Sequence, residues 1–416
     1  MEISRRNLIL SGAPALLSAQ GANEKVNVGW IAAGTRGMHV MKMMYQAVPD
    51  NVVVSAVCDT YAGNLAKGKD QIQTMGKNTP KTHVDYRDIL NDKSIDAVFI
   101  MTPEHLHYEM TIAALKAGKH VYVEKPLAHT IEEGQEIVRE AKKSGKVVQV
   151  GTQNRSNSLY IKAKEMVAQG MIGEVHYVRA FWYRNAIEQS PWNYVIPAEA
   201  NEQNTDWKRF TGSAKARAFD KDRYFRWRLY WDYSGGISTD LLVHQTDITN
   251  FVCGKTEPIS CMASGGLYRW NTEKDKGEVP DTLSALYEYP DKFHINYSCY
   301  FGNEQYDYGE QFMGNEGTIE VIHRETLRFY PEKFRGKPPA HVAARKEFVE
   351  YKAGNDVPAV QNHTANFIRA VMGKEKVIAP VEVGQQAAVS GHLATLSLRA
   401  GKKVLWDSKT QKYRFV

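Results

Sequence analysis

Short apolar runs and longer amphipathic stretches alternate along the first part of the chain. The run from Val26 to Ile31 predicts a buried strand, and the pattern from Met38 to Ala47 predicts a helix. Further strands are predicted at Val52–Val57, Ala97–Met101, His120–Val123 and Val147–Val150, and further helices at Tyr108–Ala117 and Ile131–Ser144. Strands separated by single helices are typical of a parallel, doubly wound sheet. We therefore expect residues 24–150 to form one α/β domain.

After Gly151 the pattern becomes strand-rich. Strands are predicted at Glu174–Arg184, Ile259–Trp270, Thr282–Tyr289, His294–Phe301, Gly309–Met313 and Gly317–His323. Their alternation of apolar and polar positions favours a largely antiparallel sheet. An alanine-rich stretch, Val381–Arg399, predicts a helix that covers this sheet. Residues 151–416 are thus expected to form a second domain of the α+β class.

The first 23 residues differ from the rest. Arg5 and Arg6 stand directly before a short apolar run, Leu8–Ala19, about half as long as a bilayer-spanning helix. A basic start, a short apolar centre and small residues near its end are typical of a secretory signal, and paired arginines indicate the twin-arginine route. We expect cleavage within Ala19–Asn23 and a periplasmic protein without a membrane anchor. A surface helix or disordered tail is the alternative, and the protein would then be cytoplasmic.

The amino-acid composition limits which class of protein this chain can belong to. The 416 residues carry 53 Lys+Arg against 47 Asp+Glu, a net charge of +6, and 43% are hydrophobic, which favours a globular chain of two or three domains. Basic residues are interleaved with acidic ones, so no nucleic-acid partner is expected. The four cysteines lack C-x-x-C spacing, which argues against a zinc ribbon or a disulfide scaffold. No metal site is predicted.

A glycine-containing turn follows the first predicted strand. It places Ala32, Gly34 and Gly37 where a dinucleotide-binding fingerprint has its three glycines, and Asp59 ends the second strand. Such glycines let a pyrophosphate approach a helix N-terminus, and the acid accepts a hydrogen bond from a ribose hydroxyl. We expect Ala32 to make the turn without a positive φ. An ordinary strand–helix turn is the alternative.

Three loops end neighbouring parallel strands, and ligands of doubly wound sheets bind at those ends. They comprise residues 102–107, 124–126 and 151–155. The predicted cofactor-binding residues are Ala33, Gly34, Thr35, Arg36, Gly37, Asp59, Thr102, Pro103, His105, His107, Glu124, Lys125 and Gln153. Asp59 favours NAD over NADP because its carboxylate would repel a 2′-phosphate, whereas Arg36 argues faintly for NADP.

A second candidate for chemistry follows Gly235-Gly236. Asp240, His244 and Asp247 are spaced i, i+4 and i+7, which places them on one stripe of a helix that Ser238 or Thr239 would cap. A histidine beside carboxylates can act as a base with a fixed tautomer. A core histidine with a capping aspartate, or a metal site, are the alternatives.

The segment before this helix is rich in aromatic residues, including Trp192, Tyr194, Trp207, Tyr224, Trp227, Tyr230, Trp231 and Tyr233. Aromatic faces flanked by charged groups suit a sugar, which has an apolar C–H face and a hydroxyl rim. The predicted substrate-binding residues are Arg155, Trp207, Trp227 and Trp231. Packing at a domain interface is the alternative for more than half of the aromatic residues.

Several motifs together resemble the Gfo/Idh/MocA family of glucose-fructose oxidoreductases and inositol dehydrogenases. They are Thr102-Pro103 with His105 and His107, then Ala117–Val121, then Glu124–Ala128. The segments from Phe225 to Asp247 and from Asn366 onward are similar to an exported, sugar-acting branch. This resemblance implies a Rossmann domain, an open-faced second sheet often buried in subunit contacts, and a homo-oligomer, dimer or tetramer. It also matches Lys125, Asp240 and His244 to the catalytic residues, with Asp247 left as a structural or orienting residue.

The expected function is oxidation of a secondary hydroxyl of a sugar or glycoside, C3 being one candidate carbon, by an NAD(P)-dependent enzyme. Because a periplasm offers little free NAD, the cofactor should be tightly retained and recycled by a second sugar. One alternative is an NAD-dependent glycosidase or lyase that acts through a transient 3-keto sugar. Another is a non-catalytic, NAD-bound sugar-binding protein, which would predict a damaged Lys125–His244 pair.

Overall fold

The computed structural model describes residues 25–186, 191–270, 277–352 and 358–416. The predicted twin-arginine segment, residues 1–23, lies outside the described residues. Among the helices that are described, none combines the length and apolar composition needed to cross a bilayer.

The first domain is built on a parallel sheet with six described strands in the order β3-β2-β1-β4-β5-β6. The strands are β1 (Val26–Ile31), β2 (Val52–Cys58), β3 (Lys81–His83), β4 (Ala97–Ile100), β5 (His120–Val123) and β6 (Val148–Val150). The helices are α1 (Thr35–Ala47), α2 (Ala62–Gly76), α3 (Tyr86–Asn91), α4 (His107–Lys116) and α5 (Ile131–Ser144). The predicted doubly wound sheet is confirmed. Strand order reverses between β1 and β4, which opens a crevice at their carboxyl ends.

Helix α2 was absent from the sequence expectation for a physical reason. It buries only Gly68 and Ile72 and exposes or half-exposes its other residues, so it carries little apolar periodicity. A Cβ on Gly68 would lie 2.7 Å from the Cβ of Ala33. The glycine therefore lets α2 approach the turn that follows β1.

The second domain carries a larger sheet, in which ten strands are described in the order β14-β13-β12-β11-β7-β10-β9-β8-β15-β16. Only β7 and β10 pair in parallel within this part of the chain; the other described pairs are antiparallel. The strands are β7 (Val175–Arg184), β8 (Ser260–Gly266), β9 (Thr282–Tyr289), β10 (Phe293–Tyr300), β11 (Asn303–Gly314), β12 (Gly317–Ile322), β13 (Thr326–Pro331), β14 (Phe348–Lys352), β15 (Val404–Asp407) and β16 (Lys412–Phe415). The helices are α6 (Ser158–Ala168), α7 (Trp207–Thr211), α8 (Lys221–Phe225), α9 (Val243–Cys253), α10 (Ala340–Ala343), α11 (Ala359–Val371) and α12 (Val381–Ala400).

One predicted strand, Ile259–Trp270, is too long. Strand β8 ends at Gly266, and the backbone N–H groups of Tyr268, Arg269 and Trp270 all donate to the Asp281 carboxylate, at 2.7 to 3.1 Å. A carboxylate that takes three successive N–H groups replaces the sheet as their partner. The strand therefore ends where Asp281 captures the chain.

The C-terminal helices pack back onto the first domain. Phe367 of α11 lies in the same apolar cluster as Trp30 and Phe99 of the parallel sheet. On α12, the Gln385 side chain donates to the Ile131 carbonyl at 3.0 Å, and His392 Nε2 donates to the Ala128 carbonyl at 3.1 Å. These contacts hold the two domains in register around the cleft between them.

Candidate functional site

A cleft of about 1130 Å³ lies where the carboxyl ends of β1, β4 and β5 face the second domain. Residues of both domains line it, among them Gly34, Thr35, Arg36, Gly37, Asp59, Thr102, Pro103, Glu124, Lys125, Gln153, Trp182, Arg184, Trp227, Arg228, Asp240, His244, Tyr308 and Arg324. The dinucleotide-loop candidates and the three catalytic candidates thus share one cavity.

The turn after β1 approaches helix α1 very closely. A Cβ on Gly37 would lie 2.3 Å from the Ala32 carbonyl oxygen, so only glycine permits the approach. Gly34 precedes α1 and no side chain caps the helix, which leaves its first N–H groups open to the cleft. Ala32 has φ = +74°, so the expectation that it would turn without a positive φ is wrong. Close packing against Gly37 forces the left-handed conformation despite the Cβ, at a cost of about 1 kcal/mol.

Asp59 follows the end of β2 and stabilises the turn after β1. Its carboxylate accepts from the backbone N–H groups of Ala33 at 2.8 Å and Tyr61 at 2.9 Å. Asp59 lines the cleft, whereas Ala33 is 1% exposed and does not. The acid therefore fixes the loop beside the cleft. Burial raises the pKa of its carboxyl, and the two N–H donors oppose that rise.

Arg36 connects the loop to the neighbouring strands. Its Nε donates to Glu124 Oε1 at 2.8 Å, and its Nη2 donates to Gln153 Oε1 at 3.2 Å. A Cβ on Gly151 would lie 3.0 Å from the Glu124 carboxylate, so that glycine makes room for the pair. Because Glu124 compensates the Arg36 charge, this arginine offers little to a 2′-phosphate.

The loop after β4 divides into residues that face the cleft and residues that support it. Thr102 and Pro103 line the cleft, and Thr102 Oγ1 is buried without a hydrogen-bond partner in the described structure. His105 and His107 do not line it. His105 Nε2 donates to the Phe210 carbonyl at 2.7 Å, and burial lowers the pKa of His105 to about 3. His107 lies with its ring nitrogens 2.7 and 3.0 Å from the carbonyl oxygens of Pro126 and Thr102, so both histidines hold the loop.

Lys125 and Asp240 form a buried ion pair in the cleft. Lys125 Nζ lies 2.7 Å from Asp240 Oδ1 and 2.8 Å from the Asp240 carbonyl oxygen, and Arg228 Nε donates to the same Oδ1 at 3.2 Å. Burial alone would raise the pKa of Asp240, but the charges of Lys125 and Arg228 outweigh it and hold that pKa well below its usual range. Asp240 therefore stays ionised and fixes the ammonium group.

The segment that carries Asp240 is π-helical over Ser238–Leu242 and continues as α9. The predicted cap by Ser238 or Thr239 is wrong: Ser238 Oγ donates to the Gly235 carbonyl at 2.9 Å, and Thr239 Oγ1 donates to Glu104 at 2.8 Å. Of the predicted stripe, Asp240 and His244 line the cleft, whereas Asp247 does not and pairs with Arg155. Such π-helical turns are frequent at functional sites.

Glu104 holds this segment in place and was missed by sequence reasoning. It is 1% exposed, and its carboxylate accepts from Ser234 Oγ at 2.7 Å, the Gly235 N–H at 3.1 Å and Thr239 Oγ1. Glu104 belongs to the first domain and its three donors to the second. The only sequence signal was its position at the carboxyl end of β4.

Replacing this acceptor should destabilise the protein. In Glu104→Ala the three donors lose their partner in a buried site, and we expect a loss of about 3 kcal/mol in the free energy of unfolding. Urea denaturation followed by tryptophan fluorescence measures it. Glu109→Gln, which alters an exposed acid bonded to the Tyr86 hydroxyl, is the matched control and should change stability by less than about 0.5 kcal/mol. Equal stability of the two variants would contradict the role of Glu104.

His244 lies next to the ion pair. Its Nδ1 is buried and has no hydrogen-bond partner among the described residues, and its ring centre lies 6.1 Å from that of Trp182. Burial, followed by the charges of Lys125 and Arg324, lowers the pKa of His244 well below its usual value. The imidazole is therefore neutral at neutral pH and can accept a proton.

Only one predicted substrate residue reaches the cleft. Trp227 lines it, with the Arg228 guanidinium 4.2 Å from its ring centre. Arg155 instead forms a buried ion pair with Asp247 at 2.8 Å, Trp207 packs on Phe210, and Trp231 lies under Arg399. None of the three side chains lines the cleft, so the two tryptophans fit the packing alternative and Arg155 is occupied by its ion pair. Trp182, Arg184, Tyr308 and Arg324 occupy the cleft instead, and no motif marked them.

Comparison with protein families agrees with this geometry. The model of the GFO_IDH_MocA oxidoreductase family, NAD-binding Rossmann fold, matches residues 26–152, and the model of its C-terminal alpha/beta domain matches residues 164–405. The chain therefore belongs to the Gfo/Idh/MocA oxidoreductase family, and its first domain binds NAD. The open N-terminus of α1 and the unpartnered Thr102 hydroxyl fit such a ligand.

Individual relatives share parts of the chain. The inositol 2-dehydrogenase/D-chiro-inositol 3-dehydrogenase of Lactiplantibacillus plantarum is 36% identical over 148 residues, which are 35% of this chain and 41% of that enzyme. The alpha-N-acetylgalactosaminidase of Shewanella oneidensis is 29% identical over 192 residues, 45% of this chain and 40% of that protein. The match thus spans less than half the length of either. A levoglucosan dehydrogenase solved with NADH and levoglucosan shares the fold, with a TM-score of 0.69, 19% identity and coverage of 94% and 99%.

Proposed function

We propose that this protein oxidises a secondary hydroxyl of a sugar or glycoside with NAD, C3 being one candidate carbon. The observation that carries the proposal is the Lys125–Asp240 pair, which lies with His244 in the cleft that the dinucleotide loop opens into. The similarity to sugar and inositol dehydrogenases supports this class of substrate. A binding protein without catalysis would have no need to keep this buried arrangement.

The residues divide the work according to their charges. His244 is neutral and takes the hydroxyl proton, while the Lys125 ammonium donates a hydrogen bond to the same oxygen and stabilises the developing alkoxide. Asp240 positions Lys125, and Arg228 shares the same carboxylate oxygen. Bound NAD supplies the acceptor for the hydride that leaves the carbon. Asp59 beside the cleft and the compensated Arg36 favour NAD over NADP.

The proposed periplasmic location is the reason to expect that the protein retains its NAD. The paired arginines of residues 1–23 would send the folded protein through the twin-arginine route to the periplasm. A cofactor released there would be lost, so NAD stays bound and a second sugar restores it. The similarity of Phe225–Asp247 to the exported, sugar-acting branch of the family supports this scheme.

The open face of the second sheet supports a homo-oligomer. Met262 of β8 and Leu286 of β9 pair across the strands and are 42% and 44% exposed. Exposed apolar side chains in register on a broad sheet are typical of a subunit contact. We expect a dimer or tetramer joined through this face.

A second candidate is cleavage of a glycosidic bond, which the similarity to the alpha-N-acetylgalactosaminidase favours. A ketone at C3 acidifies the proton on C2, so the aglycone can leave by elimination. Water then adds at C1, and the returning hydride restores the hydroxyl at C3. Electrons balance within the cycle, so no net reduction of NAD occurs.

The first experiment is to denature the purified protein, prepared without added nucleotide, and to identify any released dinucleotide by mass and absorbance. We expect one NAD(H) per chain. Incubation with pairs of sugars and with nitrophenyl glycosides then distinguishes sugar oxidation from release of nitrophenol. An empty protein that reduces added NAD in solution would overturn the retained cofactor, and an empty, inactive protein would overturn the proposed oxidation.

A further inference from the structure

The substrate end of the cleft holds two arginines that no carboxylate pairs with among the described residues. Four arginines line the cavity near the catalytic groups. Arg36 pairs with Glu124 at 2.8 Å and Arg228 with Asp240 at 3.2 Å, whereas Arg184 and Arg324 have no carboxylate within 4.0 Å in the described structure. Guanidinium groups that line a cleft without a counter-ion are available to a ligand.

Both guanidinium groups are held at the same aromatic ring. Their central carbons lie 5.0 Å (Arg184) and 4.9 Å (Arg324) from the ring centre of Trp182, and Arg324 also lies 4.8 Å from that of Tyr308. The Trp182 ring lies 6.1 Å from His244, so this aromatic shelf connects the two charges with the catalytic base. Arg324 Nε and Nη2 are buried without hydrogen-bond partners in the described structure.

The backbone carries Arg324 to this position at a cost. The turn between β12 and β13 closes with the Glu325 N–H donating to the Ile322 carbonyl at 3.1 Å. Its two central residues, His323 and Arg324, have φ of +55° and +58°, a conformation that usually takes glycine or asparagine. Such strain persists where surrounding contacts require it and is concentrated at functional sites.

Two acids lie close enough to be affected by the charge of the arginines, but neither forms an ion pair with them among the described residues. Asp307 pairs with His323 at 3.4 Å. Glu310 is fully buried and accepts from the Tyr160 hydroxyl at 2.5 Å, and burial raises the pKa of Glu310 to about 7. A large fraction of Glu310 is therefore protonated at neutral pH. The two guanidinium groups are therefore left without a carboxylate partner at the end of the cleft beyond His244.

We propose that the substrate carries an anionic group, the carboxylate of a sugar acid, which Arg184 and Arg324 bind against the Trp182 ring. The planar fork of a guanidinium matches a carboxylate with two parallel hydrogen bonds. This inference rests on the proposed function and specifies its substrate as a uronic acid or its glycoside. A sulfate or phosphate ester would offer the same charge with tetrahedral geometry.

The test compares matched pairs of substrates on the NAD-loaded protein. The pairs are methyl glucoside with methyl glucuronide and galactose with galacturonate, and a hexose phosphate and a hexose sulfate complete the series. We expect kcat/KM to be about 100-fold higher for each acid than for its neutral partner. The neutral sugar lacks the carboxylate and so cannot form the charged hydrogen bonds with the arginines. Preference for the sulfate or phosphate would show that the anionic group of the substrate is that ester and not a carboxylate. Equal or better turnover of the neutral sugars would overturn the proposal.

Variants assign the effect to the two arginines. Arg324→Met and Arg184→Met should raise KM for the acid about 30-fold or more, and should lower kcat/KM far more for the acid than for its neutral partner. Arg324→Lys keeps the charge and should recover part of the loss. Arg399→Met is the matched control, since its guanidinium lies 5.0 Å from the Trp231 ring outside the cleft. A rise in KM with the control variant as large as with Arg324→Met would contradict the assignment.

Direct binding separates this inference from the proposed function. If no sugar is oxidised, thermal shift with galacturonate against galactose still reads the charge preference. Stabilisation by galacturonate alone, lost in Arg324→Met, supports the anion site although the oxidation fails. Equal shifts for both sugars overturn the anion site whatever the turnover.

Discussion

Lys125→Met should lower kcat by about 10³-fold while NAD stays bound. The ammonium group lies 2.7 Å from Asp240 in a buried part of the cleft and is the donor placed to stabilise an alkoxide. Loss of one such donor costs about 10²- to 10³-fold in other enzymes, and here Asp240 also loses its principal partner. The change is measured as sugar-dependent reduction of bound NAD, with nucleotide content determined after denaturation.

A second buried lysine provides the control for Lys125. Lys119 is 3% exposed, and its ammonium donates to the carbonyl oxygens of Asp92 and Ile95, away from the cleft. Lys119→Met should reduce stability but leave kcat per folded molecule within about twofold, because no reacting group is affected. Full turnover by Lys125→Met would remove this residue from the mechanism.

His244→Gln should lower kcat by about 10³-fold, since an amide cannot accept the hydroxyl proton. Glutamine preserves much of the volume and a polar terminus, so binding of NAD and sugar should persist. The measurement is single-turnover reduction of bound NAD after mixing with sugar. His176→Gln, on an exposed strand position beside Glu174, is the matched control and should react at the rate of the unaltered protein.

The same histidine predicts the pH profile. Proton transfer requires neutral His244, and burial together with the Lys125 charge lowers its pKa well below 6.5. The rate should therefore persist as pH falls through the usual histidine range and decline only at lower pH. A decline centred at or above the ordinary histidine value would show that another group limits the reaction. The lowered pKa makes His244 a weaker base, and Lys125 offsets this by making the substrate hydroxyl more acidic.

Local patterns predicted the parallel sheet well because each strand is a short apolar run between signals for turns. β1, β5 and α5 have the predicted bounds. Patterns failed where a particular packing or hydrogen-bond contact decides the structure. Asp281 ends β8 early by capturing backbone N–H groups, and close packing against Gly37 forces Ala32 to a positive φ.

In the candidate site, too, local motifs predicted some residues, and tertiary contacts decided the others. Lys125, Asp240 and His244 follow recognisable motifs, and they lie in one cleft as expected. Arg184 stands two residues after Trp182 on β7, whereas Arg324 comes from the turn after β12. The pairing of β7 with β11 and of β11 with β12 brings Arg324 to Trp182. Arg155 has the charge of a ligand-binding residue, but Asp247 already occupies it. Sequence identifies residue types, whereas their availability depends on tertiary partners.

The return of α11 and α12 to the first sheet affects how the enzyme can be taken apart. A fragment cut at residue 150 would lack Phe367, which packs in one cluster with Trp30 and Phe99. Its apolar face would be exposed to water, which is unfavourable. Chimeras that exchange the nucleotide-binding half with a relative would therefore have to graft the last sixty or so residues with it. The two halves are separate in sequence order, but each depends on the other to complete its core.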